Sequence, residues 1–165
     1  MAKIGKSNVK TEYDMNHKKV TFEDLYPIIE NTIRSGNEFS FCAFGSSMLP
    51  FIRNGKDLVT LGPVSEKLKV NDVIFHRRAN GQFVLHRIVA VHENGIYDLC
   101  GDNQGYVEKG ISHNQIIAKL TRIQRDGKEV SLVSFSAKAW YLWLPVHRFL
   151  IHVKCAIRRR LKLKK

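Results

Sequence analysis

The sequence is poor in cysteine and has no closely spaced pair of them. Cys42, Cys100 and Cys155 are the three present, widely spaced and without a C-x-x-C arrangement, so neither a disulfide framework nor a zinc site is expected. They read as buried reduced thiols, which suits a reducing compartment. Long apolar runs are also missing. No stretch reaches the ~18 uninterrupted apolar residues that a spanning helix needs, and the opening "MAKIGKSNVKTEYDMNHKKV" contains nothing resembling a signal-peptide core. Acidic residues are absent from the other end: residues 138 to 165 hold nine Lys or Arg and no Asp or Glu. The formal charge of +12 therefore belongs to the ends, because residues 21 to 137 carry thirteen charges of each sign. A nucleic-acid partner is not the expectation for a neutral middle of this kind.

What is present is a soluble globular composition, 44% hydrophobic and 25% charged over 165 residues, enough for one domain with a real core. "TFEDLYPIIENTIRSG" predicts a helix: Thr21 can cap it, and Phe22, Leu25, Ile28, Ile29 and Ile33 recur at helical spacing before Gly36 ends it. Pro27 predicts a kink, or a start close to it. From residue 38 the texture changes to short β-rich runs, "EFSFCAF", "DLVTLGPV", "NDVIFHRR", "QFVLHRIVAVHE", "GIYDLCG" and "IIAKLTRIQRDGKEVSLV". The turn signals "ANG", "ENG" and "RDGK" between them predict hairpins. The fold class expected is mainly β, a coiled and mostly antiparallel domain with an N-terminal helix and a C-terminal basic helix. Boundaries follow: 1–20 a flexible segment, 21–136 the main domain with its helix, and 137–165 a basic amphipathic tail interrupted at Pro145. Aromatic and cationic residues together in that tail suit an anionic membrane surface, and packing of its apolar face on the β-domain suits the same pattern.

Three segments carry chemistry. A serine hydroxyl becomes a nucleophile when a base accepts its proton and a third group orients that base. "GSSMLP" offers Ser47. "VLHRIVAV" offers His86 in an apolar strand, where desolvation disfavours the charged imidazole and keeps it available as a base. Alternation sets Val84, His86 and Ile88 on one face of that strand and Leu85, Arg87 and Val89 on the other. "CGDNQ" offers Asp102, a loop carboxylate after a strand end. Each alone reads as a turn, a core histidine and turn chemistry respectively.

Their order is more specific. Gly45-x-Ser47-Met48-x-Pro50, "LKVNDVIFHR", "VLHRIVAV", "GDNQ" and "HNQIIAKL" together resemble the signal peptidase I superfamily, which includes the self-cleaving repressors of the bacterial DNA-damage response. The resemblance covers about residues 38 to 124. The pair His86-Arg87, where most bacterial leader peptidases read Lys-Arg, is similar to the His-type branch of archaea and the endoplasmic reticulum. The resemblance implies Ser47 as nucleophile and His86 as general base. It implies Asp102 as the residue that orients His86, with Glu108, six positions on, as the alternate. The oxyanion donor implied is the Ser47 N–H; Ser46, directly before it, could add a hydroxyl, although the family often places its serine where this chain has Gly45. Met48 and Pro50 shape the start of a helix and the substrate groove, and Arg87 is a structural strand residue. His76, His92, His113, His147 and His152 fall in no metal-ligand pattern and read as surface or packing residues. No metal and no cofactor is expected.

The activity implied is that of a serine endopeptidase that removes a leader or signal-like segment from a peptide or preprotein with small residues before the cut. The sequence departs from the family where a transmembrane anchor or a DNA-binding domain would precede the serine segment. An unanchored chain is expected to work on the cytoplasmic side, peripherally on the inner membrane surface. The alternative is an inactive peptidase-fold module that binds a peptide or regulatory partner; it expects Ser47 and His86 to lie beyond hydrogen-bond reach.

Overall fold

The computed structural model describes the backbone of residues 2–5, 8–11, 14–15, 18–19, 22–64, 67–132 and 135–162, and side chains within 24–64, 67–132, 142–154 and 156–157. The first twenty residues contain two short antiparallel ladders, β1 (Ala2–Gly5) with β2 (Asn8–Thr11) and β3 (Asp14–Met15) with β4 (Lys18–Lys19). Helix α1 (Phe22–Arg34) follows as one element. It runs through Pro27, expected to kink it or start it. A proline this close to the N-terminus forfeits only one intrahelical bond, to the carbonyl of Glu23. The capping role expected for Thr21 lies outside the described residues.

The protein is mainly β, as its turn signals predict. Eight strands form one antiparallel sheet: β5 (Phe39–Cys42), β6 (Leu58–Gly62), β7 (Val73–Arg77), β8 (Phe83–Val91), β9 (Ile96–Cys100), β10 (Glu108–Ser112), β11 (Ile116–Arg125) and β12 (Lys128–Val130). Their order is β10-β9-β8-β7-β11-β6-β5, with β12 added to β11. "ANG", "ENG" and "RDGK" each join two adjacent antiparallel strands. Strand β11 gives the sheet its coil. Its first half pairs with β7 and its second half with β6, with a register shift in each pairing; such irregularities bend a strand and increase its twist.

The strand alternation divides the apolar residues between two faces. Phe41, Val59, Leu61, Val73, Phe75, Phe83, Leu85 and Ile123 form the larger core, covered by Ile29 and Ile33 of α1. Burying each of those helix isoleucines contributes roughly 1.5–3 kcal/mol. Ile74, Ile88, Leu99 and Ile111 form a smaller core on the other face. Helix α2 (Phe135–Lys162) continues through Pro145, where an interruption was expected. Leu144 is buried, whereas Leu142, Val146, Phe149, Leu150, Val153 and Ile157 are exposed.

Candidate active site

Ser47 sits in the turn that follows β5. Gly45 adopts φ 123°, a region that residues with a Cβ rarely enter, and its N–H donates to Asn54 Oδ1 at 2.8 Å. The helix expected after Ser47 is a single turn, closed by Ile52 N–H donating to Met48 O at 2.9 Å. Beyond it the chain is pinned by Asp57, whose buried carboxylate accepts from the Arg53 backbone N–H at 2.8 Å, from Arg53 Nε at 2.9 Å and from Arg125 Nη2 at 2.7 Å. Burial acts to raise this carboxyl, and the hydrogen bonds from Arg125 and Arg53 outweigh it, leaving it below the usual range. The turn is thereby tied to β11.

The other side of Ser47 is held by the loop after β9. Asn103 N–H donates to Ser47 O at 2.7 Å and Asn103 Nδ2 to Ser46 O at 3.1 Å. Gly101 comes so close that a Cβ there would lie 2.7 Å from Ser47 O. Thus "GDN" has three separate tasks. Gly101 permits the approach, Asn103 fixes the serine turn, and Asp102 binds elsewhere.

Asp102 meets Arg87. Arg87 Nε donates to Asp102 Oδ1 at 2.8 Å and Nη2 to Oδ2 at 2.7 Å, both side chains fully buried. Arg87 also donates from Nη1 to Asn71 O at 2.8 Å and lies over the Phe51 ring, 4.4 Å from its centroid. A fork-to-fork pair of this kind is among the strongest a carboxylate makes. Alternation is the cause: Arg87 pairs with Cys100 across β8 and β9, so the loop leaving Cys100 meets the Arg87 face of the strand. The first-choice orienter of His86 is therefore engaged with the neighbouring residue, and no hydrogen bond joins it to His86.

Glu108 occupies that place. Strand β10 puts Glu108 opposite Leu99, and Leu99 lies opposite Ile88, two residues along from His86 on the same face. Glu108 Oε1 lies 2.9 Å from His86 Nδ1. Arg78 holds the same carboxylate, Nε donating to Oε2 at 2.8 Å and Nη2 to Oε1. Burial raises the Glu108 carboxyl, but Arg78 and then His86 outweigh it and bring it down to about 2, so it is an anion at neutral pH. Next to His86 lies His76, the ring centroids 6.0 Å apart. It is fully buried, so of the surface or packing role expected it is not at the surface. Burial and then His86 push its imidazole down to about 3.

An apolar cleft adjoins Ser47, walled by Phe41, Ala43, Met48, Phe75, Val84 and Leu85. Val84 and Leu85 bring β8, the strand that carries His86, to the wall of this cleft. Ser47 and His86 are not hydrogen-bonded; neither nitrogen of His86 has an aligned hydrogen-bond partner. The Ser47 N–H, the expected oxyanion donor, has no protein acceptor among the described residues. Ser46 is exposed at the rim.

The tail completes the site from behind. His147 Nδ1 lies 3.2 Å from Asp102 O, Arg148 Nη2 lies 3.6 Å from Asp102 Oδ1, and Gly105 packs against His152 and Ile151. Sequence reasoning missed Gly101, Asn103, Arg78 and His76. The signal for His76 was available, since a hairpin about Asn80-Gly81 pairs His76 with Val84 and Ile74 with His86, which puts both histidines on one face.

Compared with known proteins, the chain matches no family model and no curated protein.

Proposed function

We propose that the protein is a serine endopeptidase of the signal peptidase I type, cleaving a leader or signal-like segment through an acyl-enzyme. The observation that carries this reading is the Glu108 carboxylate against His86, on the strand that also walls the cleft beside Ser47. In this reading His86 accepts the Ser47 proton as Oγ attacks the scissile carbonyl carbon, and Glu108 stabilises the imidazolium formed. The tetrahedral oxyanion accepts from the Ser47 N–H and the Ser46 hydroxyl. Collapse breaks the C–N bond, His86 returns the proton to the leaving amine, and water then hydrolyses the ester with the same base. The narrow apolar cleft suits a small side chain before the cut. The exposed apolar face of α2, with the basic residues of the tail, supports a seat on the inner membrane surface, with the substrate supplied from the cytoplasm.

One observation favours the second reading, a peptide-binding module that does not cut: the absent Ser47–His86 hydrogen bond. Catalytic hydrogen bonds are often long in unliganded proteins and tighten with substrate, so the two readings separate by turnover. Peptide N-termini are compared by mass spectrometry in cells expressing the wild-type chain or Ser47→Ala. Termini that vanish with Ser47 establish proteolysis and give the residues before the cut. Identical sets from two folded proteins, with bound peptides recovered from both, establish the module.

A further inference from the structure

His76, His86 and Glu108 present one ligand atom each within 4.8 Å of one another. We infer that these three side chains form a binding site for a divalent transition-metal ion of the zinc class, and that its occupation withdraws His86 from catalysis. The argument rests on what the cluster lacks. His76 is completely buried, yet neither of its nitrogens has a hydrogen-bond partner, and His86, equally buried, has only the Glu108 carboxylate 2.9 Å from Nδ1 and nothing on Nε2. A buried polar group without a partner is costly, and here three ring nitrogens, both of His76 and Nε2 of His86, have none. An ion that accepts lone pairs would satisfy one nitrogen on each ring at a single stroke.

The donor set suits such an ion. Two imidazoles and one carboxylate are the three protein ligands of one common zinc arrangement, which leaves a fourth position open. Imidazole selects zinc, cobalt and nickel over calcium or magnesium, which prefer oxygen alone. The Glu108 side chain is 13% exposed, which gives the ion a route inward. Arg78 shares the Glu108 carboxylate. Its charge opposes that of the metal, so the site binds more weakly than a structural zinc centre, and it also fixes the carboxylate as an outer partner does. Binding places a metal on the lone pair that His86 needs in order to take the Ser47 proton. Metal and turnover are then mutually exclusive, with zinc acting as an inhibitor of the peptidase proposed above.

Binding is read without turnover, so failure of the metal site and failure of the peptidase reading are distinguishable. The full-length chain, stripped with a chelator, is titrated with Co2+ and followed by its visible d–d bands. One equivalent is expected, with the intensity of a four- or five-coordinate ion, displaced by Zn2+. His76→Phe and Glu108→Gln each lower the affinity at least about tenfold, while His92→Ala and His113→Ala leave it unchanged. Because a buried substitution can prevent folding, the wild-type histidine ring resonances are recorded with and without Zn2+; two of the seven imidazoles shift. Absence of binding, binding that survives both ligand variants, or movement of a different set of histidines overturns the proposal.

Discussion

At the scale of residues the two carboxylates near β8 separate by function. Asp102 is locked in a buried pair with Arg87, and removing one member of such a pair leaves an uncompensated charge at a cost of about 3–5 kcal/mol. Asp102→Asn is therefore expected to lower stability by an amount of that order, measured by chemical denaturation. Glu108→Gln removes the anion that steadies an imidazolium, and a comparable change in a serine triad lowers kcat by about 10^4. On the peptidase reading it reduces kcat by about 10^2 to 10^4 with the fold retained. Equal turnover by the wild type and Glu108→Gln would remove Glu108 from the mechanism. His76 adds a pH dependence of known sign. Its folded value of about 3 lies below the ordinary 6.5, so between those values the unfolded chain binds the extra proton. Stability is then complete above pH 6.5 and falls as the pH is lowered, by up to about 1.4 kcal/mol per unit. Glu108, lowered from 4.5 to about 2, acts in the same direction below pH 4.5. Denaturation midpoints at pH 7 and pH 5 are expected to differ for the wild type and to converge in His76→Phe, whose ring takes up no proton. A wild-type midpoint that does not move would contradict the buried neutral state of His76.

At the scale of elements the serine turn is a suspended object, tied through Asp57 to β11 and through Asn103 to the loop after β9. Gly101→Ala tests the second tie. Its Cβ would lie 2.7 Å from Ser47 O and 2.9 Å from Gln104 Oε1; the side chain can swing aside, but the backbone oxygen moves only with the turn. Overpacking of this kind costs about 1–3 kcal/mol, and a displacement of the nucleophile by an ångström costs about 10^2 in rate. Activity should therefore fall further than stability. Parallel losses, or none, would show that the turn is not positioned by this contact. The same elements show why parts of the site were legible in the sequence. The strands β7, β8, β9, β11 and β12 announce themselves through apolar runs and hairpin turns, and from them alternation alone separates His86 from Arg87. β10 announces nothing. "EKGIS" has charged residues at its start, Gly110 at φ 75° and a register shift between Glu108 and Ile111, so neither composition nor period marks it as a strand. Without β10, Glu108 is a loop residue six positions past Asp102; with it, registers across three strands bring Glu108 to the His86 face. The partner of Asp102 depends likewise on which residue of β8 faces Cys100, a pairing rather than a composition.

At the scale of the whole molecule, the charge asymmetry and α2 combine into one surface. Leu144, His147, Arg148 and Ile151 turn toward the β-domain and the 101–105 loop. Leu142, Val146, Phe149, Leu150, Val153 and Ile157 lie exposed at spacings of three and four, with one adjacent pair, which is a continuous stripe along a helix. Packing on the domain and facing outward are thus properties of different sides of the same helix, where the sequence pattern supported either alone. No helix among the described residues is long and apolar enough to cross a membrane; the membrane seat proposed above would lay the stripe in the interface. Each basic residue near an anionic leaflet contributes about 1 kcal/mol, and the nine of residues 138 to 165 have no acidic residue to offset them. Because the 101–105 loop touches both α2 and the Ser47 turn, a helix seated on lipid would hold the cleft within about one helix diameter, ~10 Å, of the bilayer. Vesicles containing phosphatidylglycerol are therefore expected to sediment the chain and neutral phosphatidylcholine vesicles to leave it in solution, with binding weakened by salt over the range where a Debye length falls below about 10 Å. Phe149→Asp, which sets a carboxylate in the middle of the stripe, should lower the partition coefficient at least about tenfold while leaving the thermal midpoint in solution unchanged. Binding to both lipids alike would assign the surface to apolar contact without charge, and binding to neither would leave the stripe to a protein partner and detach the proposed site from the membrane.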